Sequence, residues 1–382
     1  MRILYSAYRH DPRDPDAASG ADFNFYRSLA ERGHDMSLVG PFRHPPSAWE
    51  RVLKRLYQRG IKKRYAKFPH SLTRRASAGL NRAEEAAKAD VVFTLFQPSL
   101  VFYRGSTPCV FRLDTSFRGY QSGYEEFGDL AMKLNIWQEH RAFARCSHLI
   151  THSGWSAEGL ARDYGFDARR IHTFPNPSAL PQDKVPDGAP PPRSLAEPLE
   201  LLTVGRNFHR KGIDIAMETT RQLNRSGNPT RLTICGLSGS DEEHIRFVGP
   251  FRKSRSQELE TYLELYRRSH LLLHPARFDP SPIVTAEAAA FGLPVVTRDV
   301  GGIATSVKNG TSGVVLPAGA MAEAFSEAIA RLMAQPQRYH RLCIDSRRRY
   351  ESDLNWQVAG GRVEKVLRLA AEEGKCRGGV TQ

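Results

Sequence analysis

The stretch RFDPSPIVTAEAAAFGLPVVTRDVGG, residues 277–302, sets Asp279 eight positions before Glu287. Pro280 and Pro282 forbid helix before about Ile283, because proline lacks an N–H and disfavours helical backbone in the residue ahead of it. A helix that starts there has free N–H groups in its first turn, at Ile283 and Val284. One carboxylate therefore lies in a loop, the other about one turn into a helix, and donors lie between them. Carboxylates accept from sugar hydroxyls and a helix start accepts phosphate, so the pattern suits a ligand rich in both. The plainer alternative is that Asp279 caps a turn and Glu287 is a surface residue.

A second candidate is VGRNFHRKGID, residues 204–214, at the end of a strand-like run. Arg206, Arg210 and Lys211 precede Gly212 and a helical pattern. Cations before a helix start, with glycine permitting close approach, suit a diphosphate. A solvated basic loop is the competing reading.

These residues need elements to hold them, and the pattern supplies twelve strand candidates. In the first half they are residues 2–8, 35–40, 90–96, 109–114, 147–153 and 171–177; in the second, 199–205, 231–236, 245–249, 269–276, 294–299 and 312–317. Amphipathic stretches lie between most of them. This alternation predicts an α/β chain of two doubly wound, Rossmann-like domains with parallel sheets. Residues 178–198 hold six prolines and little apolar content, and are expected to link a domain over 1–180 to one over 199–350. Open parallel sheets bind ligands at the carboxyl ends of their strands, so two of them facing each other would make a two-substrate cleft.

Composition limits the function classes. The chain has 382 residues, 40% hydrophobic and 25% charged, which is globular composition. No apolar run is long enough to cross a bilayer, and MRILYSAY is too short an apolar run for an export signal. Five scattered cysteines show no metal spacing, which points to reduced thiols and a cytoplasmic setting. The formal net charge is +14. From Arg43 to Arg75 eleven basic residues face one acid, Glu50, a local net of +10. Such a segment attracts phosphoryl groups, anionic lipid or nucleic acid. Within it Trp49, Val52, Leu53, Leu56 and Tyr57 fall on one helical face, with Arg51, Lys54, Arg55 and Arg59 around much of the rest. That helix either packs on the first domain with a solvated basic side or lies on an anionic membrane. Aromatic residues interleave with the cations, but no nucleic-acid-binding signature accompanies them, so nucleic acid is the weaker partner.

Taken in order, VGRNFHRKGID, RLTICG, IRFVGPF and LYRRSHLLLHPARFDPSPIVTAEAAAFGLPVVTRDVGG resemble the C-terminal domain of the retaining glycosyltransferases of the GT-B fold, family 4. CSHLITHSGWSAEGLARDYGFDARRIHTFPNP is similar to the family's strand, helix and strand before the linker. The RKG segment resembles bacterial lipopolysaccharide-core glucosyltransferases. The resemblance implies a cytoplasmic enzyme, requiring no metal, that moves a hexose from a nucleoside diphosphate sugar to a hydroxyl of a glycan or lipid-linked acceptor. Lys211 and Arg206, with Arg210, would grip the donor diphosphate, together with the helix start at Ile283 and Val284. Glu287 would hold the ribose. Asp279 would contact the transferred sugar, where the family usually has the longer glutamate. Gly20 matches a glycine loop facing the donor phosphates. Asp114 stands where many relatives have a histidine near the reacting centre. LNWQVAGGRVEKVLRLAAEEG is similar to the family's last helix, which crosses back to the first domain over about 352–375. Asp14-Pro15-Asp16 has the Asp-x-Asp pattern of the other main glycosyltransferase fold, but lies in a proline-rich loop where metal binding is not expected. The alternatives are a sugar-nucleotide epimerase or phosphorylase on the same fold, or a basic nucleic-acid-binding protein.

Overall fold

The computed structural model describes the chain except residues 8–9, 16–19, 43–46, 61–67, 122–127, 189–194, 196–197 and 379–382. It divides into two compact units, Met1–Thr173 with Gly360–Gln382, and Phe174–Ala359. All twelve runs read as strands form strands; ten lie within their candidates, while β5 and β8 begin one residue earlier.

The first unit contains β1 (Arg2–Ser6), α1 (Ala21–Ala30), β2 (Asp35–Val39), α2 (Ala48–Gly60), α3 (His70–Ala87), β3 (Val91–Thr94) and β4 (Cys109–Leu113). It continues with α4 (Phe117–Gln121), α5 (Asp129–Phe143), β5 (Cys146–Thr151), α6 (Gly154–Tyr164) and β6 (Ile171–Thr173). Its six strands pair in parallel in the order β2-β1-β3-β4-β5-β6.

The second unit contains β7 (Leu199–Val204), α7 (Ile213–Arg225), β8 (Thr230–Cys235), β9 (Ile245–Val248), α8 (Ser256–Arg268) and β10 (Leu271–His274). Then come α9 (Ile283–Ala290), β11 (Val295–Arg298), α10 (Ile303–Ser306), β12 (Gly313–Leu316), α11 (Ala322–Met333) and α12 (Pro336–Asp353). The last helix, α13 (Trp356–Gly378), starts here, and from Gly360 belongs to the first unit. The second sheet is also parallel, in the order β12-β11-β10-β7-β8-β9.

A parallel sheet covered on both faces needs apolar side chains in both directions, which is why its strands read as continuous apolar runs. Along β10 the residues alternate between two cores. Leu272 packs with Leu202, Val295 and the alanines of α9. Leu271 and Leu273 pack with Leu201, Val296 and Phe325 of α11 on the other side. The proline-rich stretch begins against the second unit: Leu180 and Val185 bury in its core, and Gln182 accepts a hydrogen bond from Tyr350 at 2.9 Å.

The sheet orders place β7 and β10, and β3 and β4, at the centre of their sheets, with β1 next to β3, so the loops after these strands rest on strands paired on both sides. Phe325 is fully buried in the core that faces α11. Phe325→Ala should therefore cost about 3–5 kcal/mol. A denaturant titration of the variant should show an unfolding free energy lower by that amount, with the midpoint moved to lower concentration.

Candidate functional site

The loop after β7 is shaped by backbone hydrogen bonds and one glycine. Asn207 accepts from the Arg210 N–H through its side chain at 2.8 Å and from the Lys211 N–H through its carbonyl at 3.1 Å. Gly212 then takes φ of +66° to start α7. A Cβ at that position would sit 2.0 Å from the Pro275 carbonyl oxygen. Only glycine lets this loop lie against the loop that follows β10.

The two loops are sewn together. The Arg277 N–H donates to the Arg210 carbonyl at 2.8 Å, and the Arg277 guanidinium binds both oxygens of Asp214 at 2.7 and 2.6 Å. Arg210 donates in return to the Phe278 carbonyl at 3.2 Å. Lys211 is thereby delivered to Asp279: its ammonium pairs with Oδ2, and both side chains are nearly buried. His274, the last residue of β10, brings Nε2 to 3.1 Å from the same oxygen. Asp279 is also fixed through its backbone. Its carbonyl accepts from Gly302 N–H at 2.9 Å, and Gly301, with φ of +59°, passes so close that a Cβ would lie 2.6 Å from that oxygen.

The electrostatics follow from this packing. Burial alone would raise the Asp279 carboxyl, but the Lys211 ammonium and the His274 hydrogen bond outweigh it and hold the group well below the usual carboxylate range. Burial lowers His274 from its ordinary value, so the ring is neutral at pH 7 and donates from Nε2 to the carboxylate. Its Nδ1 is buried without a hydrogen-bond partner among the described residues.

Glu287 lies five residues into α9 and is 1% exposed, so it is no surface residue. Oε2 receives the hydroxyls of Tyr262 and Tyr266, both from α8, at 2.6 and 2.9 Å. Oε1 pairs with the Lys253 ammonium from the loop between β9 and α8. Both phenols are pushed up, first by burial and then by the Glu287 charge, and stay protonated. The two carboxylates thus occupy separate networks and share no hydrogen-bond partner among the described contacts. Between them α9 begins at Ile283 behind Pro282, without a side-chain cap on its first N–H groups. Arg206 lies outside both networks. It is exposed and borders a hollow with Pro250, Phe251, Arg252, Arg255 and Glu258.

In the first unit Gly20 takes φ of +87° immediately before α1. Asp114 follows β4 and accepts from Arg112 at 2.8 Å. Arg112, buried over the Phe25 ring, also donates to His152 at 2.5 Å. Asp14 is described but Asp16 is not; among the described residues no group of three or more His, Cys, Asp and Glu is placed to hold a metal ion. Lys253, Tyr262, Tyr266 and His274 escaped the sequence reading. Tyr262 and Tyr266 stand at helical spacing, which marks a face of a helix and no chemistry, and His274 lies inside the strand candidate 269–276. A lysine after a strand in IRFVGPFRK was the available signal for Lys253.

Two outcomes are expected. Gly212→Ala should separate the two loops and cost on the order of 1–3 kcal/mol, read as a fall in melting temperature. Because His274 is depressed in the folded chain, the unfolded chain binds the proton first. Stability is therefore full above the ordinary value of 6.5 and falls as pH drops below it. The melting temperature should decline from pH 7 to pH 5, and His274→Gln should flatten part of that decline. His34, His70 and His172, also lowered chiefly by burial, add to the decline.

Comparison with known proteins places these features in a family. Residues 191–349 match the family described as glycosyl transferases group 1, and residues 23–178 match glycosyltransferase family 4. Glycogen synthase of Mycobacterium tuberculosis is 31% identical over 189 residues, which cover 48% of this chain and 45% of that protein. The chain thus spans about half the length of that curated relative. WaaG, a glycosyltransferase involved in lipopolysaccharide biosynthesis, superposes over 95% of this chain and 98% of its own with a TM-score of 0.59 at 18% identity. HepE of Anabaena, solved in complex with UDP-glucose, covers 98% of this chain and 99% of its own with a TM-score of 0.62 at 16% identity. The two family matches fall one on each unit and the solved structures share the fold along nearly the whole chain: it belongs to the group 1 and family 4 glycosyltransferases, with the GT-B fold.

Proposed function

We propose that the chain transfers a hexose from a nucleoside diphosphate sugar to an acceptor hydroxyl, with retention of configuration and without a metal. The observation that carries this reading is the separation of two buried carboxylates into two networks on either side of a helix start. That arrangement suits a ligand with hydroxyls at both ends and phosphate between. Glu287 serves the ribose, Asp279 the transferred sugar, and the N–H groups of Ile283 and Val284 the phosphates. On binding, Lys211 turns from Asp279 to the diphosphate, joined by Arg206 and Arg210. These cations stabilise the charge that grows as the diphosphate leaves, the part a metal ion plays elsewhere. The departing diphosphate stays in place while the acceptor attacks from the same face. In the first unit Gly20 serves the donor phosphates, and Asp114, held by Arg112, orients the acceptor hydroxyl. The UDP-glucose bound by HepE supports the donor class. An epimerase or phosphorylase on this fold is separated by assay, since an epimerase converts donor without acceptor.

The acceptor is proposed to be lipid-linked or of lipopolysaccharide type, presented at an anionic membrane surface. The observation here is α2, whose apolar side faces water: Trp49 is 69% and Leu56 62% exposed, with Val52 beside them. Leu53 on the same side is half-buried, and is the part of that side available to the other reading, packing on the first unit. Arg51, Lys54, Arg55 and Arg59 are exposed on the same helix, a combination suited to anionic headgroups. A capping box joins Ser47 and Glu50, at 2.8 and 3.2 Å, and Ser71 of α3 donates to Glu50, so the helix start is anchored. Arg43, Lys62, Lys63, Arg64 and Lys67 of the same basic segment, and the side chain of Tyr57, lie outside the described residues. No described helix is long and apolar enough to cross a membrane.

Lys211→Ala should lower turnover by the equivalent of about 2–4 kcal/mol of transition-state stabilisation, with a smaller loss of donor affinity by calorimetry. Glu287→Ala should weaken binding of the bare nucleoside diphosphate. Asp279→Asn should leave that binding nearly intact and cut transfer, and Asp279→Glu should cost activity or alter sugar preference. Equal weakening of diphosphate binding by Asp279→Asn and Glu287→Ala would contradict the two-ended assignment. Co-sedimentation should show binding to anionic but not neutral vesicles at low salt, lost on Trp49→Ser with Leu56→Ser; equal binding to both kinds would remove the membrane reading.

A further inference from the structure

We infer that Lys253 is a ligand-binding residue of the donor site, and that Glu287 acts on the ribose as one half of a Lys253–Glu287 ion pair. The inference rests on the nucleoside diphosphate reading above and assigns a residue that lies outside the Asp279–Glu287 stretch.

The argument starts from the capacity of one carboxylate. An ionised glutamate offers about four lone-pair positions, two on each oxygen. On Glu287, Oε2 faces two phenol hydroxyls at 2.6 and 2.9 Å, which lie 2.8 Å from each other. Each phenol has one proton, and with both given to Oε2 the two lone-pair positions of that oxygen are filled from within the unit. Oε1 holds the Lys253 ammonium. One lone-pair position on Oε1 remains, and it lies beside that ammonium.

Exposure sets the order in which a ligand meets these groups. The Glu287 side chain is 1% exposed and that of Lys253 is 25% exposed. Lys253 therefore stands on the solvent side of the carboxylate. Its ammonium is further held over the Tyr262 ring, 5.3 Å from the centroid. Only one of its three N–H bonds is needed for Oε1. A hydroxyl that reaches this point can accept from the ammonium and donate its own hydrogen to Oε1, and a neighbouring hydroxyl can take the third N–H. A vicinal diol, such as the 2′ and 3′ hydroxyls of a ribose, satisfies both groups at once. The two tyrosines keep the carboxylate oriented, and the carboxylate keeps the lysine side chain extended toward the ligand.

The rival arrangement is that Lys253 competes with the ligand and must leave before Glu287 can bind it. The two differ in sign. A contact residue loses affinity when it is shortened, whereas a competitor gains it.

The experiment is calorimetric titration of the full chain with UDP, GDP and ADP, followed by the best of the three and its 2′-deoxy counterpart against variants. Lys253→Met keeps the length of the side chain and removes the charge. It should weaken the nucleoside diphosphate by about ten- to a hundredfold, the worth of a charge-assisted hydrogen bond. It should also shrink the preference for ribose over deoxyribose. Lys253→Arg should retain part of both. Because Lys253→Met leaves a buried carboxylate unpaired, the double variant Lys253→Met with Glu287→Gln provides the control for folding. If Lys253 only neutralised Glu287, the double variant would recover stability and bind as well as Glu287→Gln alone; on the present inference it recovers melting temperature and binds more weakly than Glu287→Gln alone. Unchanged or tighter binding by Lys253→Met, or a double variant that binds as tightly as Glu287→Gln alone, would overturn the inference. Absence of binding to any of the three diphosphates by the unaltered chain would instead overturn the donor reading on which it stands.

Discussion

The buried pairing of Lys211 with Asp279 is the constraint around which the second unit's site is arranged. An ion pair withdrawn from water is a poor way to stabilise a fold: desolvation consumes most of its attraction, and an apolar pair of the same volume does as well or better. Its presence needs other support. Here the support is local and complete. A neutral imidazole donates to the carboxylate, two loops are joined by the Asp214–Arg277 pair, and glycines at 212 and 301 permit approaches that any side chain would block. The cost of keeping these charges inside is met by the loops, which fix both charges in place.

The two acidic networks use different chemistry for the same problem. Asp279 is held by a cation and an imidazole, groups that can release or exchange a partner as charge moves. Glu287 is held on one oxygen by two phenols whose burial keeps them protonated, and on the other by a lysine. The first network can respond to a reaction. The second is built to stay as it is, which suits a part of the ligand that does not change.

Much of this was legible in the order of residues. Strands covered on both faces must be apolar throughout, so runs such as LLLH and PVVT announced themselves, and all twelve formed. Pro280 and Pro282 left Ile283 as the first residue able to begin a helix, and α9 begins there. The partners of the two acids were less legible, because they come from other elements. Tyr262 and Tyr266 sit at helical spacing among apolar residues, and nothing in that pattern says that their hydroxyls converge on an acid 21 to 25 residues away. His274 looks like any strand terminus until the loop folds back on it. Periodicity also grouped Trp49, Val52 and Leu56 on one face but could not say whether that face turns inward; the direction is set by tertiary packing.

The path of the chain between the units has a consequence for its synthesis. Residues 1–173 carry every strand of the first sheet, yet the helix segment from Gly360 that rejoins this unit is made only after the whole second unit. Val363, Leu367 and Ala370 of that segment are fully buried, and Glu364 and Glu373 reach Arg32 and His148 of the first unit at 3.4 Å. On the ribosome the first sheet therefore emerges with one apolar flank uncovered, and holds it open for the 186 residues of the second unit before its cover arrives. The second unit is contiguous and can close as soon as it is released. The order of completion is thus the reverse of the order of synthesis, and during that interval the exposed flank is where a chaperone, or another nascent chain, would find something to bind.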